Sequence, residues 1–172
     1  MSEKIIEELN QFLEGNYMAI HTYDDYIHRT DDESIKKIFQ QIQQEHKHHA
    51  EILAERIQNL GGKPVNNPGV KGSVVQWMKK LKPTAGTEEM LKDAIAGEER
   101  GIEISQKLLD GDLDEESLAI VKEILSRDKN HVTMLQNLLH HEGERIFSAY
   151  FPLFHSANLI DSSPPSFAWL KQ

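Results

Sequence analysis

Apolar residues recur at steps of three and four over most of this chain, and that period commits it to amphipathic helices packed against one another. Ile5, Leu9, Phe12, Leu13, Ile20, Tyr23 and Ile27 form one stripe, which predicts a first helix over 3–29. The polar break Thr30-Asp31-Asp32 supplies N-cap side chains. Ile35, Ile38, Ile42, Ile52 and Leu60 then carry a second helix over 33–60, until Gly61-Gly62 stops it. Thr87 followed by Glu88 and Glu89 reads as an N-cap with acids at the positive end of a helix dipole. It opens a third helix over 88–110 along Leu91, Ile95, Ile102 and Leu109. Asp110-Gly111-Asp112 turns the chain, and Leu118, Val121, Leu125, Val132, Leu135 and Leu139 mark a fourth helix over 114–141.

Loop lengths set the order in which these helices pack. Short turns after the first and third make two antiparallel hairpins. Residues 63–86 between them are rich in proline and glycine, interrupted by Val74-Val75-Gln76-Trp77-Met78 and Leu81, which fit a two-turn helix. At ~3.3 Å per extended residue this connector reaches the full length of a ~40 Å helix. The expected fold is therefore all-α: a four-helix bundle over 1–141 with one long crossover. Residues 142–172 form an extension broken by Pro152, Pro164 and Pro165. Phe147, Tyr150, Phe151, Phe154, Phe167 and Trp169 nevertheless place half of the chain's aromatics there. Such a tail packs along its own bundle or on a second subunit, so a homo-oligomer is expected, with a dimer favoured.

Composition removes several classes of function. With 28 acidic against 19 basic side chains the formal charge is −9, the wrong sign for phosphate-backbone binding, so no nucleic-acid partner is expected. No apolar run approaches ~18 residues and the first residues lack a signal-peptide pattern, so neither a membrane span nor export is expected, and the reading is cytoplasmic. The absence of cysteine excludes disulfides and thiolate chemistry. Any metal must use carboxylates and imidazoles.

The two hairpins look duplicated. Sliding the third helix back by 82 residues lays Leu91 on Leu9, Gly97 on Gly15, Glu98 on Asn16 and Ile102 on Ile20. Sliding the fourth back by 83 lays Leu125 on Ile42, Asp128 on Glu45 and His131 on His48. Glu98, Glu45 and Asp128 all fall on apolar stripes, and a carboxylate is seldom buried without a partner charge or a metal. Residues three apart share a helix face, so Glu45 with His48 and Asp128 with His131 can each point at one centre. With Glu98 they supply five of the six ligands of a dimetal cage; Asn16 stands in the sixth place. The metal-free alternative has the same acids hydrogen-bonded to His48, His131 and Asn16. His46 and His49 are expected on a solvated or half-buried face, with His49 the alternative to His48 at the centre. Tyr17 and Tyr23 read as core aromatics, Tyr23 able to line the cavity, and His140 and His141 read as end-of-helix cations.

Ala96-Gly97-Glu98-Glu99, Glu45-His46-Lys47-His48, Leu60-Gly61-Gly62-Lys63-Pro64 and the stretch around Trp77-Met78 resemble the ferritin-like superfamily. The likeness, over about residues 5–140, is nearest to rubrerythrin-like proteins and to the bacterial group with a domain of unknown function, DUF2383. It implies a metal site of Glu45, His48, Glu98, Asp128 and His131 holding iron, two ions where the site is intact, or manganese. It also implies ferroxidase- or peroxidase-like chemistry, or iron storage. Asn16 departs from the first-helix glutamate of that pattern, and Asp128 shortens the fourth-helix one. The competing reading is a metal-free, stress-associated bundle acting through self-association.

Overall fold

The computed structural model describes residues 2–66 and 86–150, with side chains through Arg145. These form four α-helices: α1 (Ser2–Arg29), α2 (Glu33–Asn59), α3 (Thr87–Leu109) and α4 (Glu115–Tyr150). No strand occurs among the described residues. The predicted connector helix and the aromatic tail beyond Tyr150 lie outside them.

Local chemistry sets the helix ends. Asp32 Oδ1 accepts from the backbone N–H groups of Ser34 (2.9 Å) and Ile35 (3.1 Å), capping α2 as its sequence suggests. The α2 C-terminus closes with Gly61 N–H to Gln58 O and Gly62 N–H to Ile57 O, both 2.8 Å, and Gly61 takes the left-handed φ of 81°. Gly62 is needed for a different reason, since a methyl there would meet Ile6 Cγ2 at 2.7 Å. Asp114 caps α4 through the Ser117 N–H at 2.9 Å. Thr87 is not the cap of α3; Gly86 holds that place without a side-chain bond, and Thr87 is already helical. The fourth helix does not stop at 141. It continues to Tyr150, so His140 and His141 lie more than two turns inside it and share Glu144 as a neighbour.

Two apolar clusters occupy opposite ends of the bundle. One joins Ile5, Leu9, Phe12 and Leu13 of α1 to Leu53 and Ile57 of α2 and Val121 and Ile124 of α4, with Leu108 and Leu109 of α3 against them. The other joins Tyr23 and Tyr26 to Ile35, Phe39 and Ile42, Met90, Leu91 and Ala94, and Leu135. The early residues of α1 meet the late ones of α2, and the late residues of α3 meet the early ones of α4, so each hairpin is antiparallel as expected. Both α2 and α3 begin in the second cluster, so they run parallel, and the end of α2 and the start of α3 lie at opposite ends of the bundle. Each fully buried aliphatic or aromatic side chain contributes ~1.5–3 kcal/mol. Arg56, buried near the end of α2, binds Ser117 Oγ at 3.0 Å and the carboxylates of Asp114 and Glu116, tying that end to the start of α4. Between the two clusters the interior is polar.

Candidate metal centre

The polar belt is set by helical register. Buried positions on α2 include Ile35, Phe39, Ile42, Gln43, His46, His49 and Leu53; on α4 they include Ser117, Val121, Ile124, Leu125, Asp128, His131 and Leu135. Each pair is 82 residues apart, the same shift that lays Glu98 on Asn16. The 83-residue shift read from the sequence is one residue out, which turns a helix by about 100°. His46 and His49 therefore face the interior, not His48. His48 points outward, its side chain 69% exposed and its Nδ1 3.9 Å from Glu51. The run Ile42, His46, His49, Leu53 repeats the four-three-four spacing of Ile124, Asp128, His131, Leu135, and that signal was available in the sequence.

Glu98, 5% exposed, is the hub. Its Oε1 accepts from Tyr23 Oη at 2.6 Å and from His46 Nε2 at 3.0 Å, and its Oε2 from His131 Nδ1 at 3.2 Å. The other nitrogens of these two rings also face acceptors. His46 Nδ1 lies 3.1 Å from Asn16 Oδ1, whose amide Nδ2 donates to Phe12 O, and His131 Nε2 lies 3.1 Å from Glu45 Oε2. Both nitrogens of each ring therefore face an acceptor oxygen. Glu45 itself is half-buried at the edge of the group.

Two atoms are left over. Asp128 Oδ1 and His49 Nδ1 are buried without a hydrogen-bond partner, 3.8 Å from each other, and Asp128 Oδ1 is also 3.8 Å from His131 Nδ1. Burial, reinforced by the charges of Glu98 and Glu45 against those of His46 and His131, pushes the Asp128 carboxyl up to about 6. Burial, with the charges of His46 and His131, pushes His49 down to about 3. Burial also works against Glu98 and His131, but their contacts outweigh it: Glu98 is held well below the usual carboxylate range by His46 and His131, and His131 is raised by Glu98 and Glu45. Burial and the adjoining Glu98 carboxylate raise the Tyr23 phenol.

One ligand atom each from His46, Glu98, Asp128 and His131 lies within 4.8 Å of the other three. The unpartnered Asp128 oxygen within such a set fits a divalent cation, whose bond would satisfy it, with the unpartnered His49 nitrogen close by. Of the residues expected from sequence, Glu98, Asp128 and His131 come together, Glu45 borders them through His131, and His48 does not join. His49 was held only as the alternative to His48, and His46 and the hydrogen-bonding role of Tyr23 were missed.

Four antiparallel-hairpin helices around a buried carboxylate and imidazole group define a ferritin-like four-helix bundle. The chain belongs to the family described as Domain of unknown function (DUF2383), whose model matches residues 4–111 and so ends before α4. Among solved structures it is similar to the bacterioferritin-related protein from Bacteroides fragilis, described as a dodecameric thioferritin. That likeness has a TM-score of 0.71 and 22% identity, over 87% of this chain and 92% of that one. A ferritin-like, diiron-carboxylate protein from Bacillus anthracis str. Ames matches with a TM-score of 0.64 and 26% identity, over 80% and 96%. A two-domain protein from Anabaena variabilis, with DJ-1/ThiJ/PfpI-like and ferritin-like domains, matches with a TM-score of 0.69 and 19% identity; the likeness covers 98% of this chain and 42% of that one. No curated protein matches the sequence. No described helix is long and apolar enough to cross a membrane.

Proposed function

We propose that this chain is a metal-binding protein that holds a divalent first-row ion, iron in the first instance and manganese as the alternative, among His46, Glu98, Asp128 and His131. The observation that carries the reading is the unpartnered Asp128 Oδ1, 3% exposed, within a group whose ligand atoms lie within 4.8 Å of one another. Imidazole with carboxylate is a donor set that suits iron. Asn16 and His46 occupy buried places where further carboxylates would supply a second ion with charge, so the reading favours one ion over two. Tyr23 orients Glu98 through its hydroxyl, His49 flanks Asp128, and the apolar clusters close the two ends of the group. Bound iron would supply one-electron chemistry toward oxygen or peroxide, and on this reading the protein acts in iron handling or peroxide defence. The Bacillus anthracis relative described as diiron-carboxylate supports that assignment. The dodecameric Bacteroides fragilis relative supports self-association, of which a dimer is the smallest form, and a sizing column tests it.

The metal-free bundle is the second reading. It is favoured by the closed network in which Glu98 has three donors and both nitrogens of His46 and His131 have acceptors. Metal analysis of protein purified without a nickel column, followed by anaerobic Fe²⁺ titration and an oxidation assay, separates the two. About one ion per chain and saturable Fe²⁺ binding are expected; no binding of Fe²⁺ or Mn²⁺ leaves the metal-free reading.

A further inference from the structure

Among the described residues two cavities border the buried group, and the makeup of their walls differs. On the α1–α3 side a cavity of about 120 Å³ reaches His46, Glu98 and Asp128 past Gly15, Ala19, Gly97 and Gly101. On the α2–α4 side a larger cavity of about 270 Å³ is lined by Glu45, His48, His49, Glu123 and Arg127, with Ile52, Ile120 and Ile124 beside them. The first carries Asp93 and Arg100 besides the buried His46, Glu98 and Asp128, but most of its exposed wall is apolar. The second carries two carboxylates and two imidazoles, side chains that bind divalent cations, with one arginine among them.

The inner end of this second cavity adjoins the candidate centre. His49, 4% exposed and with an unpartnered Nδ1, lines it and stands 3.8 Å from Asp128 Oδ1. Glu45 also lines it and has one oxygen 3.1 Å from His131 Nε2, while its other accepts from Gln41 Nε2 at 3.3 Å on the exposed side. Its side chain is 29% exposed where that of Glu98 is 3%, so Glu45 touches both the cavity and the buried group. At the outer end His48 and Glu123 are exposed. An arrangement of outer ligands, a half-buried carboxylate and inner ligands offers a cation successive partners, so that it need not shed its water shell in one step.

We propose that the cavity between α2 and α4 is the entry site for a divalent transition-metal cation, and that Glu45 passes the ion from it to the buried residues. The inference rests on the metal-binding reading above, and it gives Glu45 and His48 roles in transfer, outside the final coordination sphere. A residue that lowers the barrier to both entry and exit changes the rates without changing the equilibrium.

Stopped-flow uptake of Co²⁺ by the full chain, followed by the visible absorption of the bound ion, tests it. The Glu123→Gln, His48→Asn double variant alters only exposed residues and so leaves the fold intact, as melting would verify. Its uptake rate is expected to fall about tenfold, the lower end of what focusing by a charged cleft supplies, with stoichiometry and Kd unchanged. Glu45→Gln is expected to slow uptake and release together. Gly101→Val, which narrows the other cavity at a position where an added methyl meets nothing within 4 Å, should leave the rate at the parent value. Slower uptake in Gly101→Val with parental rates in the double variant would overturn the assignment of the entry side. A weakened Kd at an unchanged uptake rate in Glu45→Gln would overturn the transfer role and make Glu45 a ligand. If the parent protein binds no Co²⁺, Fe²⁺ or Mn²⁺ at all, the metal-binding reading itself fails and this inference falls with it; binding at unchanged rates in every variant refutes the entry site alone.

Discussion

The α1–α2 hairpin and the α3–α4 hairpin bury equivalent positions at the centre at one offset of 82 residues, yet they fill two of the three polar ones with different chemistry, Asn16 against Glu98 and His46 against Asp128. The first hairpin contributes Asn16, His46 and His49, with no acid among its fully buried residues at the centre; the second contributes Glu98 and Asp128 with His131. A duplicated scaffold thus fixes where polar side chains converge and leaves their charge free to diverge. At Glu98 two donors of the first half, His46 and Tyr23, meet an acceptor of the second. If this division holds, the hairpins should respond unequally to matched substitutions.

The largest inequality is expected at Glu98. Glu98→Gln removes the charge on which Tyr23, His46 and His131 converge, and breaking a buried ionic contact costs about 3–5 kcal/mol. For a chain of this length that lowers Tm by roughly 6–20 °C. On the opposite side of the same contact, His46→Gln forfeits a charge-assisted hydrogen bond worth about 1.5–3 kcal/mol and should cost less. Urea unfolding of the metal-free proteins gives both numbers. Equal losses would mean that the second hairpin is not the anchor.

Asn16→Glu makes the hairpins alike at the place equivalent to Glu98. Without metal one more carboxylate enters an interior that already holds Glu98 and Asp128, and a loss of about 1–3 kcal/mol is expected. Added Fe²⁺ or Mn²⁺ should then stabilise the variant more than the parent, since a ligand that binds only the folded state adds ~2.7 kcal/mol at a hundredfold excess over Kd. Anaerobic thermal melts with and without metal decide it. A destabilised variant that metal rescues no better than the parent would count against convergence of these residues on an ion.

The pH dependence of the metal-free protein should divide along the same line. His49 is pushed down to about 3 by burial, so between there and the unfolded value of ~6.5 only the unfolded chain takes its proton. Its contribution is complete above ~6.5 and lost as pH falls toward 3. Asp128, raised to about 6 by burial, runs the other way: its contribution is present below the unfolded value of ~3.9 and lost as pH rises through 6. In urea melts from pH 4 to 8, His49→Asn should flatten the acid limb, while Asp128→Asn should gain on the parent as pH rises. The two changes act in opposite directions, so a common sign for both would contradict the burial assigned to one of them.

Much of this molecule was legible in the sequence because its signals are periodic and local. The stripes from Ile5 to Tyr23 and from Ile35 to Ile42, the Asp32 cap and the Gly61-Gly62 stop gave four helices and their pairing within a residue or two, except at the end of α4. There the apolar stripe fades after Leu139 while the helix runs on to Tyr150, since the polar residues that follow do not themselves end a helix. The candidate centre was less legible. Glu98, Asp128 and His131 sit on well-marked stripes, but Glu45, His46, His48 and His49 crowd one turn, and a motif of acid and histidine three apart drew the choice to the wrong face. The apolar neighbours Ile42 and Leu53 carried the register that the motif obscured.

The smallest effect is the one that the two hairpins should share. Gly15 and Gly97 lie inside α1 and α3 at equivalent places, and a methyl added at either meets nothing within 4 Å. Glycine inside a helix costs backbone entropy, so Gly15→Ala and Gly97→Ala should each stabilise by about 0.5–1 kcal/mol, or roughly 1–4 °C in Tm. Equal gains would confine the divergence of the hairpins to their polar positions, because the glycines would then be matched relics of one scaffold. A gain at one and a loss at the other would mean that something beyond the single chain covers that side of the groove. A sizing column run on the losing variant would then show a smaller assembly than the parent, and the asymmetry of the hairpins would extend from the buried charge to the surface.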